Sequence, residues 1–486
     1  MNSKRVLLLR PNSTDGHKDS YVAFPLGLGY IASSLRDVGH QVSVIDLTIE
    51  EVDEDLLRRR VKVFSPDMVG ITALSYAYDP VKKLAALIKS VVKCPIVLGG
   101  QLSTYSSHVV LRNTAVDICV IGEGELTSIE LMKHLDDPSK VLGVSFIRNG
   151  EQVFTPSRPV IEDLDSISMP AYDLFPMDEY TKMNDVYLSR QHTAKGKVHR
   201  KLCIEAGRGC PFGCHFCSTT FKRVRKRSVG SLVAEMRYLH YVYGVDTFGF
   251  QDELFFSSKS YVREFCSNIS DMQIGWFGNA RVDTVDEETI LLARDNKCLE
   301  IAFGVESGSQ SILDAMNKKT KVDRIEHIIS FAIDSNMPID MGLILGYPGE
   351  NEKSVQDTID MLSRIGYPGL KFRYLTPYPG SKVYDAFVKS GFITDEDRYL
   401  TSLGDGRGPY VPRFNLTEFD DDALRRLLKV VSDKVFMNYI IYLLLRPWKL
   451  MRRIFRKDVM NPLYVIVNRI QHPTNYDKAR KMGEDK

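Results

Sequence analysis

The chain of 486 residues carries 64 Lys and Arg against 62 Asp and Glu, a formal net charge of +2, and 44% of its residues are hydrophobic. That length exceeds what one core usually organises and predicts two or three units. The near-neutral balance gives no reason to expect a nucleic-acid partner.

The start, MNSKRVLLLRPN, has an apolar run too short for a signal peptide and reads as a buried first strand. A cytoplasmic, reducing location is therefore expected for the eight cysteines, where metal binding or catalysis explains a cluster better than a disulfide framework. Up to about residue 147, the runs RVLLL, QVSVIDL, MVGITAL, PIVLGG and DICVIGEGE alternate with segments of helical period such as PLGLGYIASSLRDVG and DPVKKLAALIKSVVK. This alternation predicts a parallel doubly wound sheet over 1–147. Ligands of such sheets lie beyond the carboxyl ends of the strands, which here carry Thr72, Ser75, Gly99, Gly100, Gly122 and Gly124.

Residues 148–198, rich in Pro, Asp and Ser, read as a linker. Over 199–395 strand signals return in KLCIEAGRGC, TFGFQDELF, EIAFGVESGS, PIDMGLILGYPGE and GLKFRYLTPYPGS, separated by helical stretches. About six strand-helix units of this kind predict a partial α/β barrel with its chemistry at the loops after the strands. From 396 to 486 the strand signals fade and a helical segment with a polar tail follows.

The loop GRGCPFGCHFCS places thiols at Cys210, Cys214 and Cys217. Three thiols leave a tetrahedral zinc one ligand short, whereas a four-iron cluster on three cysteines keeps one iron free for a non-protein ligand. The alternative is a zinc loop completed by His215 or by a distant group. Cys203, Cys266 and Cys298 read as packing residues.

With these residues the chain resembles the radical S-adenosylmethionine (SAM) enzymes, whose CxxxCxxC loop Cys210, Cys214 and Cys217 match, Phe216 included. The resemblance implies a 4Fe-4S cluster whose open iron takes the amino and carboxylate groups of SAM, one-electron cleavage to a 5'-deoxyadenosyl radical, and an electron donor such as flavodoxin or ferredoxin. It also implies Asp252 and Glu253 near the SAM amino group, Arg281 toward its carboxylate, Glu306 with Ser307 near the ribose, and Gly346 on the adenine side. Each has a plainer alternative. Asp252 and Glu253 read equally as a solvated acid pair, Arg281 as a surface partner of Asp283, and Glu306 as a helix cap beside Ser307 and Ser309.

The first region resembles the cobalamin-binding domain that precedes such barrels in a large bacterial family, through FPLGLGYIASSLRDVGHQVSVIDL, VGITALSYAY, VLGGQLSTYSSHVVLRN and VDICVIGEGE. By that resemblance Thr72, Ser75, Gly99, Gly100, Gly122, Glu123 and Gly124 meet the nucleotide tail. An empty flavodoxin-like spacer is the alternative. Asp15, Gly16 and His17 give part of the DxHxxG of another cobalamin class, but Ser20 stands where its Gly belongs, so cobalt without a His ligand is expected. GGQLST likewise departs from the family's Gly-Gly-Pro-His or Gly-Gly-Pro-Tyr form.

Together the two resemblances imply methylation of an unactivated carbon or a phosphinate phosphorus. One SAM would charge cob(I)alamin with methyl, and a second would supply the radical that prepares the substrate to receive it. The alternative is a radical oxidoreductase or oxidative cyclase like the anaerobic magnesium-protoporphyrin ester cyclases. A tRNA-modifying enzyme is disfavoured by the absence of a basic RNA-binding module. In the C-terminal segment, 435–457 joins VFMNYIIYLLL to RPWKLMRRIFRK. This stretch reads either as a helix packed on the barrel or as a peripheral membrane contact, the latter implying a lipid substrate instead of another small molecule.

Overall fold

The computed structural model describes residues 3–12, 22–182, 200–367 and 371–455, the last four without their side chains. Asp15, Gly16, His17 and Ser20 lie outside the described residues, as does the chain from 456 onward.

Alternate residues of the first strand, β1 (Arg5–Arg10), feed opposite cores: Val6 and Leu8 point into one, Leu7 and Leu9 into the other. A strand covered on both faces needs such an unbroken apolar run. It sits inside a seven-stranded sheet with β2 (Gln41–Asp46), β3 (Met68–Thr72), β4 (Ile96–Gly99), β5 (Ile118–Val120), β6 (Val144–Arg148) and β7 (Glu151–Phe154), in the order β2-β1-β3-β4-β5-β6-β7. The first five are parallel and the last two antiparallel. The sheet thus runs on to Phe154. Its closing hairpin turns at Asn149 and Gly150, both at positive φ (52° and 82°), as a two-residue turn between twisted strands requires. Chain order reverses between β1 and β3, so the crevice beyond their carboxyl ends is where a ligand fits.

The second sheet is all parallel, in the order β8 (Lys201–Ile204), β11 (Thr247–Phe250), β12 (Gly275–Ala280), β13 (Cys298–Glu306), β14 (Ile339–Leu345) and β15 (Phe372–Tyr374). Helices separate these strands, giving an open partial barrel. Between β8 and β11 a short antiparallel ribbon, β9 (Gly207–Arg208) with β10 (Arg225–Lys226), carries the cysteine loop. Cys203, Cys266 and Cys298 are buried in packing positions.

Both hydrophobic cores cross from one sheet to the other. One joins Phe24, Tyr30 and Tyr172 to Leu202, Val229 and Phe250, and the other joins Val81 and Leu102 to Tyr384, Tyr399 and Leu400. The second junction is reinforced by the helix Glu396–Leu403, where Asp397 accepts from Tyr78 and Lys82, and Glu396 meets His108 and Tyr384. After the barrel, the helix Asp421–Leu444 buries Leu424, Leu428, Val431, Val435 and Tyr439. Among the described residues no helix is long and apolar enough to cross a membrane.

Candidate active site

The cysteine loop begins where two backbones nearly touch. A Cβ on Gly207 would lie 2.6 Å from the Arg225 carbonyl oxygen, and one on Gly209, at φ +96°, would lie 2.3 Å from that of Arg223. Only glycine allows the ribbon to close this tightly, and Cys210 N then donates to Phe221 O at 2.9 Å. The far side of the loop is held by the turn after the helix Gln310–Ala315. His215 N donates to Met316 O, and Asn317 Nδ2 donates to Gly213 O at 2.7 Å.

Burial pushes the Cys210 thiol up, and the neighbouring Cys217 and Cys214 push the same way, opposed by the Phe212 amide and the Arg281 charge. Cys214 Sγ lies 3.4 Å from Arg281 Nη1. Three thiols on one short loop beside a guanidinium form a donor set that suits a cationic iron-sulfur core. Among the described residues no three such side chains are yet closed to metal-ligating distance.

Around this loop stand the ends of the barrel strands. Arg281, after β12, is buried and donates to Asp283 at 2.9 Å, to Lys318 O and to Thr320, so its pair with Asp283 is internal and not a surface one. Glu306, ending β13 at φ +69°, follows a register shift against β14 and accepts from Lys318 Nζ at 2.8 Å. A Cβ on Gly304 would stand 2.6 Å from Glu306 Oε1, so the glycine makes room for that carboxylate. Ser307 is buried against Thr358, and the following helix is entered through Ser309, not Glu306. Gly346, at φ +76°, donates its N–H at 2.6 Å to Glu350, a carboxyl that burial pushes up to about 7.

Asp252 and Glu253 part company. Asp252 is 2% exposed and turns inward, accepting from Ala206 N and from Lys226 Nζ at 2.7 Å. Its carboxylate belongs to the scaffold, so it is not half of a solvated pair. Glu253 accepts from Gly209 N and opens onto a cavity of about 470 Å³.

That cavity lies beyond the carboxyl ends of the first sheet. Arg10, Thr72, Gly99, Gly100, Gly122, Glu123 and Gly124 line it from one side; Glu205, Arg208, Gln251 and Glu253 line it from the barrel. Ser75 is buried elsewhere, with its hydroxyl unpartnered. A second orphan, the Tyr30 hydroxyl, belongs to a residue of the cavity wall. A Cβ on Gly100, at φ +87°, would fall 2.8 Å from the Ala73 carbonyl. Backbone stripped of side chains at strand ends, with an unspent buried hydroxyl, fits a large polar tail laid against the sheet.

One guanidinium ties the halves together. Arg208 donates to Glu205, Glu123 and Glu125 at 2.6–2.7 Å, with about a tenth of its side chain exposed, and Arg225 also pairs with Glu123. On the other flank Gln101 Nε2 donates to Ser218 Oγ, and Tyr105 donates to Ser218 O and Thr220. The first sheet's contacts thus bracket the cysteine loop two residues before Cys210 and one after Cys217. Arg208, Glu125, Asn317 and Lys318 belong to none of the site residues expected from the sequence. Arg208 and Glu125 do sit within the GRGC and GEGE runs, as opposite charges beside motifs that need to meet.

Family models match both halves: a B12 binding domain over residues 15–132 and the radical SAM superfamily over 204–362. A protein of Pyrococcus horikoshii described as an uncharacterized methyltransferase is 30% identical over 447 residues, covering 89% of this chain and 90% of its own length. The chain belongs to the cobalamin-binding radical SAM family. The enzyme is also similar to the anaerobic magnesium-protoporphyrin IX monomethyl ester cyclase of Rubrivivax gelatinosus, 26% identical over 413 residues and covering 81% of this chain and 72% of that one. The fold is shared with the radical SAM methyltransferase TsrM of Kitasatospora setae, seen with cobalamin and a [4Fe-4S] cluster, at TM-score 0.66 and 18% identity over 80% of this chain and 78% of that one. The cofactors of the enzyme are a 4Fe-4S cluster, SAM and cobalamin.

Proposed function

We propose that this enzyme methylates an unactivated carbon, or a phosphinate phosphorus, of a small molecule. The observation that carries the reading is the shared cavity, walled on one side by the ligand-binding ends of the first sheet and on the other by the barrel ends beside the cysteine loop. Bound there, cobalamin would carry methyl taken from one SAM, and a second SAM on the cluster would supply the radical.

The chain's own residues hold and orient. Cys210, Cys214 and Cys217 would hold the cluster. Thr72, Gly99, Gly100, Gly122 and Gly124 would present backbone to the cobalamin tail, and Glu123 fixes the loop between them by its pairs with Arg208 and Arg225. Glu306, steadied by Lys318, would accept from the SAM ribose hydroxyls, and Glu253 would accept from the SAM ammonium. Asp252, held by Ala206 N and Lys226 Nζ, anchors the adjoining backbone. A one-electron donor of the flavodoxin or ferredoxin kind would supply the electron.

The test needs no substrate. Anaerobic protein reconstituted with iron, sulfide and hydroxocobalamin, then given a reductant and SAM, is expected to release S-adenosylhomocysteine, the mark of methyl leaving SAM by displacement. Release of 5'-deoxyadenosine and methionine alone would favour the cyclase-like alternative.

A narrower reading of the substrate draws on the C-terminal helices. Met437, Ile441 and Leu444 form an exposed stripe at the end of the helix Asp421–Leu444, and Trp448 and Met451 are exposed on the separate helix Pro447–Phe455 that follows, beside Arg446 and Lys449. Such a stripe suits an anionic bilayer surface and a lipid substrate. Flotation with vesicles containing phosphatidylglycerol tests it: enzyme left wholly in the soluble fraction would exclude it.

A further inference from the structure

Arg281 has two of its contacts on the cysteine loop. The centre of its guanidinium lies 3.8 Å from the centroid of the Phe212 ring, between Cys210 and Cys214. Nη1 points at Cys214 Sγ, while Nη2 is taken by Asp283, Thr320 and the Lys318 carbonyl. At 6% exposure the group cannot swing out to solvent, and Nε is buried with no partner. A guanidinium clamped on one side and stacked on the other keeps its remaining face on the thiolate.

We infer that Arg281 is a positioning residue of the cluster itself, whose charge and N–H···S contact set the cluster's reduction potential, instead of a ligand for the SAM carboxylate. Reduction adds one electron to the cluster and no proton, so the extra negative charge falls on the irons, sulfides and thiolates. A cation and a hydrogen-bond donor at a cysteine sulfur stabilise that reduced form and raise the potential. Asp283, which shares Nη2 with Thr320, offsets part of the charge, so the potential reflects the pair and not the arginine alone. The inference rests on the cluster reading but not on methyl transfer.

The test is a redox titration of the cluster in the full chain without SAM, poised with dithionite and followed by electron paramagnetic resonance, on wild type, Arg281→Gln and Asp283→Asn. Loss of one charge-assisted donor is expected to lower the ratio of reduced to oxidised cluster about tenfold at a fixed potential, which for one electron is a midpoint about 59 mV more negative. Asp283→Asn is expected to move the midpoint the opposite way. SAM affinity, read from the SAM-induced change in the cluster spectrum, should change less than twofold in Arg281→Gln. An unchanged midpoint with SAM affinity lost would overturn the inference and return Arg281 to the SAM carboxylate. Should Arg281→Gln fail to hold a cluster, Asp283→Asn decides: a midpoint equal to wild type overturns the inference. A wild-type protein that takes up no cluster would instead sink the cluster reading.

Discussion

Replacing Arg208 by Met removes the cation that three carboxylates share across the junction of the two sheets. Glu123 keeps Arg225 at 2.9 Å, but among the described residues Glu125 and Glu205 have no other ion-pair partner. Removing one member of a buried pair costs about 3–5 kcal/mol, because the remaining charge stays buried without compensation. With both cores crossing the junction, the halves should unfold together. At about 2.1 cal/mol/K per residue, 486 residues give an unfolding entropy near 1 kcal/mol/K, so the midpoint should fall by about 3–5 °C. Calorimetry of the apoprotein at pH 7.5 would measure it. The gap should narrow as pH falls through 7, because burial already pushes the Glu205 carboxyl up to about 7 and losing Arg208 raises it further, and adding Glu125→Gln and Glu205→Gln should recover most of the loss. A pH-independent shift below about 0.5 °C, the size of an ordinary surface change, would refute the idea that this network holds the halves in place.

Two further changes probe the loop and the barrel end. Gly209→Ala puts a methyl group against the Arg223 and Phe221 carbonyls at a left-handed φ, at a cost of about 2–4 kcal/mol. Cys210 should be displaced, and iron retained per chain after reconstitution should drop while the circular dichroism of the fold persists. Wild-type iron content in this variant would show that the ribbon tolerates a side chain. Glu350 is pushed from its ordinary 4.5 up to about 7 by burial, so the folded chain holds a proton there that the unfolded chain has lost, and stability should decline as pH rises from 4.5 through 7. The decline amounts to about 3 kcal/mol. Glu350→Gln should remove it, and urea midpoints of the two proteins that run parallel between pH 5 and 8 would contradict the assignment.

Much of this architecture is written in local patterns. The run at Leu7, Leu8 and Leu9 announces a strand buried on both faces, and the strand-helix alternation announces parallel sheets. The three cysteines, with glycines before and between them, mark a loop that must fold tightly around something inorganic. The hairpin at Asn149 and Gly150 carries an Asn-Gly turn signal, but the Pro, Asp and Ser that follow have the composition of a linker. What local pattern could not convey is which charged groups spend themselves on one another. Asp252 and Glu253 are neighbours in sequence, yet one is spent in the scaffold and the other opens onto the cavity. Arg208 and Glu125 lie 83 residues apart, and nothing near either names the other.

The two cores that run through both sheets also bear on how the chain is made. The first sheet is complete by Phe154, but the faces of its helices against Tyr384, Tyr399 and Leu400 stay uncovered until the helix Glu396–Leu403 is synthesised. At about 5–20 residues per second, roughly 250 residues of delay leaves that apolar surface bare for some 12–50 s on the ribosome. The nascent chain is therefore a client for holding chaperones over that interval, and a fragment ending near residue 155 would never leave it.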